Sequence, residues 1–139
     1  MAMKEEVMPH FELRYSRNLE AQVDIAALCD AIGEMMRSDS MFEVGGIRVR
    51  AMACDDYLVA DAHPENSFLD MTLRIGLGRT EEAKRATGDR LFAGVAAHLA
   101  EMFDRPHFML SFEIQEISPS LSWKKNSIHA RLRNASVQE

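Results

Sequence analysis

The stretch Leu69-Asp70-Met71-Thr72-Leu73-Arg74-Ile75-Gly76-Leu77-Gly78-Arg79-Thr80-Glu81-Glu82 holds a strand, a turn and the start of a helix. Leu69, Met71, Leu73 and Ile75 alternate with Asp70, Thr72 and Arg74, the period of two expected of a strand with one buried face. Gly76-Leu77-Gly78 breaks that pattern. Thr80 can then cap a helix, with Glu81 and Glu82 placed against its positive end. The helix is expected to bury Leu91, Phe92, Val95, Leu99, Met102 and Phe103, and to be stopped by Pro106. Beyond it, Phe108, Leu110, Phe112 and Ile114 alternate with Met109, Ser111 and Glu113 as a further strand. This half reads β-α-β.

The preceding half follows the same plan. From Pro9, the residues His10, Glu12 and Arg14 alternate with Phe11, Leu13 and Tyr15. Asp24 is a plausible N-cap for a helix that places Ile25, Leu28, Cys29, Ile32, Met35 and Met36 on one side and ends near Arg37. After Gly45-Gly46, Ile47, Val49, Ala51 and Ala53 alternate with Arg48, Arg50, Met52 and Cys54. Two β-α-β units, each with one apolar strand face, predict an α+β fold: a four-stranded sheet with two helices on one side. The opposite face would carry Glu12, Arg14, Arg48, Arg50, Arg74 and Glu113. Charges of both signs there fit either a solvated face or one that meets other copies of the chain. The segment 119–139 is polar, with single apolar anchors at Leu121, Trp123 and Ile128.

At 139 residues the chain has room for one domain, read here as 9–139, with 1–8 an N-terminal extension or a misassigned start. The formal charge of −6 speaks against nucleic acid as a partner, since that affinity rests on neutralising phosphates. Twelve of the sixteen cationic residues are arginine, the side chain suited to bidentate carboxylate binding. No run of apolar residues is long enough to span a membrane, and Met1 to Met8 do not read as a secretory signal. Cys29 and Cys54 stand singly, which suits a reducing cytoplasm. The five histidines form no HxxxH or HxH pair, so no metal site is expected.

Gly76-Leu77-Gly78-Arg79-Thr80-Glu81 begins like a dinucleotide fingerprint, but Glu81 replaces the third glycine and would repel a pyrophosphate. No GxSxG elbow or HExxH helix occurs. What remains is a tight turn with an arginine at its exit, either a solvated cation or a seat for a carboxylate.

Met8-Pro9-His10-Phe11, followed by strand alternation, resembles the start of tautomerase-superfamily chains, which work with an amino-terminal proline. Four further segments resemble the 5-carboxymethyl-2-hydroxymuconate isomerase family in particular. They are Gly45-Gly46-Ile47-Arg48, the run from Met71 to Arg79, Leu110-Ser111-Phe112-Glu113-Ile114, and Pro119 to Asn126 with His129-Ala130. The resemblance runs from Pro9 to about Arg131.

The resemblance implies two β-α-β units per chain, assembled as a homotrimer with the sheets facing inward. It implies ketonisation of a dienol di- or tricarboxylate in the bacterial breakdown of homoprotocatechuate, without metal or cofactor. Pro9 would be the general acid/base, and Arg48 and Arg79 would bind substrate and stabilise enolate charge. Phe11 as an apolar wall and Arg50 are weaker candidates; an ion pair with Glu12 or Glu113 is the other reading of Arg50. One site per chain is expected, because Leu69 stands near the place in the second unit that Pro9 holds in the first. An acylated proline nitrogen is not basic, so this chemistry requires Pro9 to be the mature terminus. The alternatives are a non-catalytic carboxylate-binding trimer with Pro9 blocked by residues 1–8, and a tautomerase for another α-keto acid. An RNA-binding α+β domain is a third, disfavoured by the acidic balance and the lack of an RNP-like aromatic run.

Overall fold

The structure is a computed structural model and describes residues 8–138; residues 1–7, most of the segment read as an extension, lie outside the described residues. Four strands form one sheet: β1 (His10–Ser16), β2 (Arg48–Cys54), β3 (Ser67–Gly76) and β4 (Phe108–Ile117). Their order is β2-β1-β3-β4. Pairing is parallel within each β-α-β unit and antiparallel where β1 meets β3. Helix α1 (Ile25–Arg37) joins the first pair, and α2 (Glu81–His98) joins the second.

Both helix starts arise from local chemistry. Asp24 accepts the Ala27 N–H at 3.0 Å, and Thr80 accepts the Ala83 N–H at 3.0 Å. Each cap satisfies one of the backbone donors that a helix leaves open. The register then aligns apolar residues in rows across the sheet. Val49, Phe11, Leu73 and Ile114 form one row, and Ala51, Leu13, Met71 and Phe112 the next. Leu28, Ile32 and Met36 of α1 and Leu91 and Val95 of α2 complete the core with these rows. The Phe11 and Phe112 rings stack with centroids 5.4 Å apart.

Three expectations are corrected. Phe92 and Phe103 are not core residues: they are 38% and 49% exposed. The helix buries Thr87, Leu91 and Val95, a four-residue spacing that turns Phe92 about 100° off the stripe. The helix ends at His98 and passes into a 3-10 turn, Ala100–Asp104, well before Pro106. The polar tail forms a third helix, α3 (Ser127–Gln138), and Leu121, Trp123 and Ile128 are exposed instead of anchoring it. No helix among the described residues is long and apolar enough to cross a membrane.

Helix α3 is held by polar contacts. Asn126 donates to the Gly45 carbonyl at 2.9 Å and accepts the Ile128 and His129 N–H groups at 2.7 and 3.1 Å. Arg133 grips Glu43 with two hydrogen bonds of 2.6 and 2.8 Å. His129 is buried against the 3-10 turn Val44–Gly46. A Cβ at Gly45 would lie 2.6 Å from His129 Nδ1 and 2.9 Å from its Cα, so the helix backbone itself would have to move. Gly45→Ala is therefore expected to destabilise the protein by about 1–3 kcal/mol, the usual cost of overpacking. Gly94→Ala, which meets only the flexible end of Met35, should cost much less. Urea denaturation of the two variants checks this; equal midpoints would remove the close approach as a constraint.

Candidate active site

Pro9 is buried and immediately precedes β1, and its carbonyl accepts the Arg48 N–H at 3.1 Å. That bond extends the parallel β1–β2 ladder by one step and fixes Arg48 beside the proline. Arg48 pairs with His10 on one side, and Arg74 of β3 pairs with His10 on the other. The outer face therefore begins, at the Pro9 end, with the row Arg48, His10, Arg74 and Gln115. The next row is Arg50, Glu12, Thr72 and Glu113.

These two rows distribute charge unevenly. Glu12 is buried and pairs with Arg50 through a short contact and with Arg14 at 3.4 Å. Arg50 thus forms the ion pair with Glu12 expected from its spacing, and it also approaches His10 Nδ1 at 3.3 Å. A guanidinium can only donate, so Nδ1 is the acceptor and the neutral ring carries its proton on Nε2. Among the described residues, Arg48 and Arg74 have no carboxylate partner. Burial, together with Arg50 and Arg74, pushes the Arg48 pKa down. Burial and the Arg48, Arg50 and Arg74 guanidiniums lower His10 from 6.5 to about 4. The Pro9 end of the face is thus a field of excess positive charge with a neutral imidazole inside it.

Arg79 leaves the sheet at the same end. It follows β3 through Gly78, whose φ of 113° is open to glycine and strained for other residues. Its guanidinium donates to the Met41 carbonyl at 3.0 Å, in the loop after α1. Phe11 lies on the opposite, helix-covered face with no exposure, because strand alternation separates it from His10 and Arg48. It presents no wall to the arginine face of its own chain. Arg74 and His10 were not singled out as site residues in the sequence. Alternation places both on the outer face, but only the antiparallel register sets them side by side.

Chemically, an exposed guanidinium, Arg48, and a half-buried one, Arg74, neither with a carboxylate partner among the described residues, form a seat for an anion. A groove between α2 and β4, over Phe92, Phe112 and Ile114, lies elsewhere on the chain. Among the described residues, the arginine rows form an outer face on which Arg48 is exposed.

The lowered His10 pKa has a thermodynamic consequence. The unfolded chain takes up the His10 proton near 6.5, whereas the folded chain resists it until about 4. Between those values the unfolded state binds more protons, so this group's contribution to stability is lost as pH falls from 6.5 to 4 and does not change further below. A histidine ring NMR titration should place the His10 midpoint near 4, and Arg74→Ala should move it upward. A midpoint at the ordinary value would contradict the charge field described.

Comparison with known proteins gives the family to which this fold and sequence belong. The sequence profile of the family described as 5-carboxymethyl-2-hydroxymuconate isomerase matches residues 9–132. The chain is similar to the 5-carboxymethyl-2-hydroxymuconate Delta-isomerase of Escherichia coli, with 33% identity over 123 residues that cover 88% of this chain and 98% of the relative. The crystal structure of a 5-carboxymethyl-2-hydroxymuconate isomerase from Deinococcus radiodurans R1 superposes with a TM-score of 0.85 at 43% identity, covering 92% of this chain and 96% of that one. A crystal structure of a 5-carboxymethyl-2-hydroxymuconate delta-isomerase gives a TM-score of 0.82 at 27% identity, covering 91% and 94%. The matched span begins at Pro9 and takes in both β-α-β units, so the chain belongs to the 5-carboxymethyl-2-hydroxymuconate isomerase family.

Proposed function

We propose that the chain is a cofactor-independent isomerase that ketonises a dienol carboxylate of the 5-carboxymethyl-2-hydroxymuconate type, with Pro9 as the proton carrier. The observation that carries this reading is the pair of guanidiniums, Arg48 and Arg74, left without carboxylate partners beside Pro9. In the reaction, the amine of a terminal Pro9 takes the proton from the enol hydroxyl. The oxygen's electrons form a carbonyl, the double bonds shift, and the proton is returned to carbon. Nothing is gained or lost, so no cofactor is needed. Arg48 and Arg79 bind a substrate carboxylate and stabilise the developing enolate oxygen, where charge grows in the transition state.

Assembly as a homotrimer belongs to the same reading, since it would place a second chain over the outer arginine face. It would also cover Met52 and Met109, both exposed on that face. A cytoplasmic setting goes with it: Cys29 and Cys54 are both free thiols. The substrate would be one of the di- or tricarboxylates of bacterial aromatic breakdown.

The test compares protein beginning at Pro9 with protein beginning at Met1. A Pro9 nitrogen bonded to Met8 is an amide whose lone pair is delocalised. Protein beginning at Pro9 should ketonise a 2-hydroxymuconate-type substrate, and the Met1 form should be slower by at least the 10²–10⁴-fold or so that general base catalysis contributes. In the Pro9 form, Arg48→Ala and Arg79→Ala should each cost about 2–4 kcal/mol in transition-state energy. Equal rates for the two starts, with mass spectrometry showing neither was trimmed, would remove Pro9 from the mechanism. Full activity in both arginine variants would remove Arg48 and Arg79 from the mechanism.

A further inference from the structure

The end of the sheet opposite Pro9 gathers a second group of chemistry-bearing side chains. The loop between β2 and β3 brings His63 and Glu65 against His107, which immediately precedes β4. One ligand atom from each of the three residues lies within 4.8 Å of the others. The His63 and His107 rings stack with centroids 4.3 Å apart and planes inclined by 28°. We propose that His63, Glu65 and His107 form a binding site for a divalent transition-metal ion, with zinc the natural occupant of two imidazoles and a carboxylate.

Asn66 is the reason His107 is ready to bind. The Asn66 amide donates to the Val59 carbonyl at 3.1 Å and to Asp61 Oδ1 at 2.7 Å. Those two contacts fix which end of the amide is nitrogen, so its Oδ1 faces His107 as an acceptor. The 2.9 Å contact between His107 Nδ1 and Asn66 Oδ1 is therefore a hydrogen bond donated by the imidazole. With its proton held on Nδ1, the ring keeps a lone pair on Nε2. This is how a metal-binding histidine is normally oriented by its outer partner.

The loop that carries the other two ligands is also tied down. Asn18 donates to the Asn66 carbonyl at 2.9 Å, and the Ser67 N–H donates to the His107 carbonyl at 2.8 Å. Ala60 and Ala62 adopt φ of 53° and 67°, a left-handed conformation that costs energy outside glycine, and the Ala62 N–H donates to the Val59 carbonyl at 2.9 Å.

His63 and Glu65 must adjust. The Glu65 N–H donates to His63 Nδ1 at 3.1 Å, so coordination requires His63 to give up that hydrogen bond, either by binding the ion through Nδ1 or by moving its proton to Nδ1 to free Nε2. Glu65 forms an ion pair with Arg105 and would exchange one cation for another. A tetrahedral ion with ligand bonds of about 2.0–2.2 Å needs donor atoms about 3.4 Å apart. Both side chains are exposed and can close that gap. The histidines lie far apart in the sequence, which is why ligand spacing predicts no metal here.

Isothermal titration of untagged, EDTA-treated full-length protein with Zn²⁺ tests the site. One ion per chain should bind at micromolar concentration. His107→Ala and His63→Ala should each weaken binding tenfold or more, with thermal melts in EDTA showing that the fold persists. Arg105→Gln should tighten binding severalfold by freeing Glu65, an effect that chance surface binding to histidine would not show. Binding that persists in the His63→Ala/His107→Ala double variant, or no binding by the parent protein, would overturn the proposal.

Discussion

The antiparallel pairing of β1 with β3 is the constraint on which the rest depends. It sets Phe11 against Leu73 and Leu13 against Met71 on one face, and His10 against Arg74 on the other. A slip of one residue would reverse every side chain, placing arginines in the core and phenylalanine in solvent. The buried rows that α1 and α2 cover therefore secure the outer rows as well. Stability and site share one register.

The outer face is costly to maintain. Like charges on neighbouring strands are unfavourable, and one buried carboxylate, Glu12, serves Arg14 and Arg50. Arg48 and Arg74 remain on either side of a histidine that stays neutral. A bound carboxylate would relieve that repulsion at the end of the sheet where Pro9 stands. In a partly desolvated site the interaction is worth more than it is in bulk water: at 4 Å a charge pair gains about 1 kcal/mol in water and about 4 kcal/mol at an effective dielectric constant of 20.

Much of this was legible in the sequence because it was written in local patterns. Alternation marked all four strands, and Asp24 and Thr80 marked both long helices with caps that form as expected. Helix α3 was not legible, because it is fastened by the close packing of His129 on Gly45 and by Arg133 on Glu43, contacts between segments far apart in the chain. Phe92 misled because an apolar residue beside a helical stripe looks like part of it, and Phe103 because the helix gives way to a 3-10 turn before reaching it; neither is in the core. The family resemblance singled out Pro9, Arg48 and Arg79. The neighbourhood of His10 and Arg74, and that of His63 and His107, depend on strand register and loop closure, which no short motif records.

The central claim is that the Pro9 nitrogen is a free amine whose basicity is set by the arginine field beside it. ¹⁵N NMR titration of proline-labelled protein beginning at Pro9 measures that basicity at the atom concerned. A single amine should titrate below an ordinary secondary amine, because neighbouring cations disfavour its protonated form, and Arg48→Ala should raise its midpoint. A midpoint at the ordinary value, unmoved by Arg48→Ala, would contradict the account.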